Sequence, residues 1–177
     1  MKITSVRNSL MRAAALLTLV GTAVAVNQPS VRASLLSAKE RKPASDYSLK
    51  DASGKTVTLK DQRGKVVLIN FWATWCGGCK QELPCFAEFQ RTYGGKGLAV
   101  VAVSLDKGWD VVNPFVAKTD MPFQILLADD RTTQLYGIKN LPDTFLIDRQ
   151  GKVAAAYTGL VNKDDVEANI KALLAER

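Results

Sequence analysis

The chain has 177 residues, 47% of them hydrophobic, with 24 Lys and Arg against 17 Asp and Glu and no histidine. That suffices for one globular domain with an extension, and a domain of this size folds without disulfide staples. The net charge of +7 does not indicate a nucleic-acid partner: residues 1–25 carry three cations and no anion, residues 26–42 a net three more, and the remainder is close to neutral.

The first 25 residues read as an export signal. Lys2, Arg7 and Arg12 form a basic start, residues 13–26 ("AAALLTLVGTAVAV") a short apolar run, and Ala23-Val24-Ala25 a cleavage-site pattern. The run falls short of the roughly 20 apolar residues that a spanning helix needs, although an anchor counted from Leu10 is compatible with it. Residues 26–42 are polar and mixed and are expected to form a flexible tether. The domain is expected over 43–177.

Within it, "DYSLKDASGKTVTLKDQRGK" combines alternation in "TVTL" with turn signals at Ser53-Gly54 and Arg63-Gly64, which predicts a hairpin. "KVVLINFW" (65–72) is an apolar run of the kind that forms a buried central strand. A helix follows from Cys76, with Leu83, Phe86, Ala87 and Phe89 on its apolar side, a kink expected at Pro84 and an end at Gly94-Gly95. "LAVVAVSLD" (98–106) and "FQILLADD" (123–130) read as further strands. Between them, "WDVVNPFVAKT" has a helical pattern interrupted by Pro114. "RTTQLYGI" predicts a short helix ending at Gly137. Two strands then surround a turn at 148–151. The closing amphipathic helix buries Val166, Ile170, Leu173 and Leu174, with Asn162 as N-cap. Strands alternating with helices, then an antiparallel pair, predict an α/β fold: a mixed central β-sheet flanked by helices on both faces.

All three cysteines lie within "CGGCKQELPC" (76–85). At i and i+3, Cys76 and Cys79 share one side of the first helical turn. Unpaired backbone N–H groups at that helix start favour a thiolate on Cys76, and Cys79 is placed to resolve a mixed disulfide. A zinc site lacks its fourth ligand, an iron–sulfur site lacks thiolates, and the residue after C-x-x-C is Lys80 rather than a haem-type His. A bond closing a two-residue loop restrains little chain entropy. A peroxiredoxin centre would want Pro and Thr where Ile69 and Ala73 stand. Redox exchange remains. With Gly77-Gly78 between the thiols and no His, Cys76 is expected to have a pKa near ~7. Its potential is expected between about −200 and −270 mV, on the reducing side.

Residues 43–177 resemble the TlpA/ResA-like thioredoxin-fold thiol:disulfide oxidoreductases, through "YSLKDASGKTVTLKDQRGKVVLINFWATWCGGCKQELP" and "LPDTFLIDRQGKV". The resemblance implies a thioredoxin-like fold with an N-terminal β-hairpin extension. It implies an exported, often membrane-tethered enzyme, some members of which serve cytochrome c maturation. Cys76 would attack and Cys79 resolve, with no cofactor beyond their disulfide. Pro142 would be a cis-proline beside the dithiol, leaving the Leu141 backbone open to an extended substrate. Glu82 would shuttle the Cys79 proton in place of the buried Asp that thioredoxin carries at the position of Asn70. Trp75 would shield Cys76 and offer a contact surface, unless it merely packs.

The implied partners are a protein disulfide and a membrane electron donor, with no nucleic acid, and a monomer is expected. Two departures stand out: the dipeptide lacks the family's common proline, and Cys85 is extra. Cys85 falls about 120° from Cys79 on an ideal helix and reads as a small packed hydrophobe, or else as a resolving or inter-chain thiol. The alternatives to a reductase are a disulfide donor of the same fold, a binding module with incidental cysteines, and a thiol peroxidase.

Overall fold

The computed structural model describes residues 32–176, so the leader lies outside the described residues. Among these, no helix is long and apolar enough to cross a membrane.

The first hairpin pairs β1 (Ser48–Lys50) with β2 (Thr56–Thr58). Its turn passes through Gly54 at φ 83°, a left-handed conformation that glycine adopts without a Cβ penalty. β3 (Val66–Trp72) is buried at all seven positions, as an apolar run flanked on both sides and covered on both faces must be. α1 (Gly77–Tyr93) follows, then β4 (Leu98–Ser104), α2 (Trp109–Val116), β5 (Gln124–Leu127) and α3 (Asp130–Leu135). β6 (Asp143–Ile147), β7 (Val153–Thr158) and α4 (Lys163–Ala175) complete the chain.

The seven strands form one sheet in the order β2-β1-β5-β4-β3-β6-β7. β3, β4 and β5 are parallel, while β6 runs antiparallel to β3, β7 to β6, and the hairpin to β5. Alternate residues of β3 therefore feed different cores. Val66 and Leu68 pack with Phe86 and Phe89 of α1 and Val166, Ile170 and Leu173 of α4. Val67, Ile69 and Phe71 pack on the other face with Tyr47, Leu49 and Tyr136. Near the carboxyl end of β3, Trp72 joins Cys79, Leu83 and Val112 in a third cluster.

The described structure departs from expectation at two places. α2 is not interrupted at Pro114; so near the end of a short helix, the proline removes only the bond to the Asp110 carbonyl. α1 contains Pro84 within its span, where the sequence placed it. The tether is the larger difference, because its second half is docked on the domain. Leu36 N–H donates to the Ala154 carbonyl at 2.9 Å, Val153 N–H to the Lys42 carbonyl at 2.9 Å, and Ala44 N–H to the Gly151 carbonyl at 3.0 Å. These bonds cover the free edge of β7, which would otherwise present unpaired backbone groups.

The buried Arg41 fixes the segment. Its guanidinium contacts Asp148 at 3.3 Å and Glu176 at 2.6 and 2.7 Å, and donates to the Leu36 carbonyl at 3.0 Å. Composition gave no hint of this, since the two carboxylate partners of Arg41 are more than a hundred residues away.

Candidate active site

β3 carries the chain to the carboxyl edge of the sheet, and residues 73–75 turn it into α1. Cys76 is the N-cap residue: its backbone is extended, and its sulfur accepts the Cys79 N–H at 3.2 Å. The sulfur thus takes one of the four N–H groups that a helix start leaves unpaired. Cys76 and Cys79 are joined in a disulfide with Cα atoms 5.3 Å apart. Their exposures differ: Cys76 retains 7% and Cys79 none.

The loop before β6 closes over this turn. The Leu141–Pro142 peptide is cis, and a Cβ on Gly78 would meet Pro142 Cδ at 3.4 Å. The cis-proline therefore lies within van der Waals reach of the dithiol turn at Gly78, while a Cβ on Gly77 would meet nothing within 4 Å. Leu141 borders a groove of about 240 Å³, whose other walls are Trp75, Leu105, Ile138, Lys139 and Asn140. Trp75 is 68% exposed, whereas Trp72 is wholly buried; of the two tryptophans near the dithiol, only Trp75 can touch a partner. A larger cleft of about 460 Å³ opens at the far end of the sheet, around Gln90, Leu98 and Phe123, with no cysteine in its lining.

Glu82 lies one turn beyond Cys79 and is 2% exposed. Its carboxylate accepts the Val161 N–H at 2.6 Å and faces the Asn70 amide at 3.4 Å, which in turn donates to Thr144 Oγ1 at 3.0 Å. No cation pairs with it among the described residues. Burial therefore dominates and pushes its pKa up to about 7, with the charge of Asp143 adding to the rise and the two hydrogen bonds opposing it. Asp143 is itself shifted upward by burial. The Asn70 amide oxygen has no partner among the described residues, so a protonated Glu82 facing a turned-over amide would supply the missing donor.

Cys85 sits on the same helix but in another environment. It is half-buried against the Phe86–Phe89 core and unbonded, and burial pushes its thiol up to about 12. Among the described residues, no group of three or more His, Cys, Asp or Glu side chains gathers as a metal site.

Sequence reasoning named the dithiol, Glu82, Trp75, Leu141 and Pro142, and the structure brings these six to one end of the sheet. It passed over Thr74, whose backbone and hydroxyl both bond the buried Asp106 at 2.8 Å. The one available signal was an Asp just past the end of a strand adjacent to the dithiol strand.

The AhpC/TSA family profile matches residues 41–156. The chain is 37% identical over 135 residues to the thioredoxin-like protein YneN of Bacillus subtilis, covering 75% of this chain and 79% of that one. It is 35% identical over 131 residues to the thiol-disulfide oxidoreductase ResA of Geobacillus thermodenitrificans, covering 73% and 75%. A crystal structure of a putative thiol:disulfide interchange protein DsbE from Chlorobium tepidum aligns with a TM-score of 0.73 at 38% identity, covering 76% of this chain and 97% of that one. With its C-x-x-C disulfide at a helix start, the chain belongs to the thioredoxin-like AhpC/TSA family and is a thiol–disulfide oxidoreductase.

Proposed function

We propose that the protein reduces disulfides of protein substrates outside the cytoplasm, with Cys76 as the attacking thiol and Cys79 as the resolving one. The exposure difference supports this reading: of the two cysteines, only Cys76 retains any exposure, and its neighbour Trp75 lines the groove that Leu141 borders. In the reduced protein, the Cys76 thiolate attacks one substrate sulfur, forming a mixed disulfide and expelling the other as a thiolate. Cys79 then gives its proton to the Glu82 carboxylate and attacks the Cys76 sulfur. The substrate leaves as a second thiolate, and the protein is left in the oxidised form seen in the structure. Two electrons pass to the substrate, and a membrane electron donor returns them to the disulfide.

The reducing direction follows from how little stabilises a Cys76 thiolate. A helix start is present, but there is no His in the chain and no acidic or basic side chain in the dipeptide. Strong oxidants hold a far more stabilised thiolate. Export rests on the basic start, apolar run and cleavage pattern of residues 1–25. The test is the equilibrium potential of the Cys76–Cys79 pair in a dithiothreitol series, with Cys79→Ser used to trap mixed disulfides on Cys76. A value below about −200 mV is expected. A value near about −120 mV would make the protein a disulfide donor.

A further inference from the structure

Asp106 is a buried carboxylate that the exchange chemistry does not use. It is 8% exposed and stands just beyond the end of β4, the neighbour of the dithiol strand. One oxygen accepts the Thr74 N–H and the Ser104 hydroxyl, each at 2.8 Å, and the other accepts the Thr74 hydroxyl at 2.8 Å. Its own N–H donates to Ser104 Oγ at 3.1 Å. Burying an anion is costly unless it is hydrogen-bonded, and here three donors converge on it.

These bonds join the two sides of the groove. Thr74 precedes Trp75 and lies two residues before Cys76. Leu105, on the facing wall, is held by its N–H to the Trp72 carbonyl at 2.8 Å. A side chain as exposed as Trp75 has little packing to hold it, so its backbone anchor decides where the ring sits.

We propose that Asp106 is a positioning residue for substrate recognition, fixing the spacing between Trp75 and Leu105 through its bonds to Thr74. This rests on the reading that the groove receives the substrate chain. The partner it serves is an extended polypeptide that spans the groove while its disulfide reaches Cys76. A small disulfide does not need those walls.

The test compares insulin with hydroxyethyl disulfide as oxidised substrates for the reduced full-length protein and for its Asp106→Ala, Asp106→Asn and Thr74→Val variants. Asp106→Ala is expected to lower the ratio of insulin to hydroxyethyl disulfide kcat/KM about tenfold, chiefly through the insulin KM. Thr74→Val, which keeps the backbone donor, moves the ratio in the same direction by less. Asp106→Asn, which keeps one acceptor for that donor, restores most of it. Combining Asp106→Ala with Thr74→Val adds nothing to Asp106→Ala alone, because both remove one network. Trp75 emission shifts in step with the ratio.

Equal losses on both substrates, or an unchanged ratio in folded variants, overturn the assignment. Should Asp106→Ala fail to fold, Thr74→Val decides alone, since it removes a single hydroxyl. A wild-type protein that turns over hydroxyethyl disulfide but not insulin overturns the groove reading and this inference together. A wild type active on insulin with an indifferent Thr74→Val overturns this inference only.

Discussion

The two ends of β6 hold buried polar clusters of opposite character. At its start, beside the dithiol, Asn70 Oδ1, Trp72 Nε1 and Asp143 Oδ1 have no hydrogen-bond partner among the described residues, and Glu82 no cation among them. At its finish, Asp148 accepts the N–H groups of Gln150 at 3.0 Å and Lys152 at 2.8 Å together with the Arg41 guanidinium, which Glu176 also grips. One cluster is saturated and joins three chain segments. The other is under-satisfied and keeps a carboxyl poised to change protonation near neutral pH. A buried polar group lowers the energy of a single structure when its partners are complete, and responds to its surroundings when they are not.

Breaking the saturated end should have the largest effect on stability. Arg41→Ala strands Asp148 and releases the segment before Pro43, and is expected to cost about 3 kcal/mol of unfolding free energy. Hydrogen exchange should show the loss concentrated in residues 33–44 and β7, with the Cys76–Cys79 potential unmoved. A potential that moves with it would mean the two ends are coupled.

At the under-satisfied end, Glu82→Gln should act in the opposite sense. The folded-state pKa of Glu82 is raised to about 7, so its favourable contribution is complete below its unfolded value and is lost as pH rises through the folded one. The amide cannot ionise, so the variant should gain stability over wild type between about pH 5 and pH 8, by up to about 3 kcal/mol. It should also slow release of the substrate thiol from the mixed disulfide while leaving the Cys76 titration in place. Equal changes in both cysteines would remove Glu82 from the proton step.

The smallest effect is expected from Cys85→Ser. Burial holds that thiol protonated, so the potential should stay constant and alkylation by iodoacetamide at pH 8 should be slow against reduced Cys76. Fast alkylation of Cys85 would place it in the redox machinery.

Much of this was legible before any coordinates because it depends on neighbours in the chain. The hairpin needed only its alternation and Gly54, the central strand its apolar run, and the dithiol its i, i+3 spacing at a helix start. α2 shows the limit of such reading: a proline looks like a break when its place in the helix is not yet known. Local sequence determined the elements, the positions of the two thiols and the class of their chemistry, since backbone geometry and hydrogen-bond capacity act over a few residues. Only the tertiary structure decided that residues 33–44 are strapped to β7, that Glu82 is buried without a cation among the described residues, and that Asp106 holds Thr74. Each of these rests on burial and on partners at least 12 residues away in the chain, and proximity across such a gap is created by the packed sheet alone.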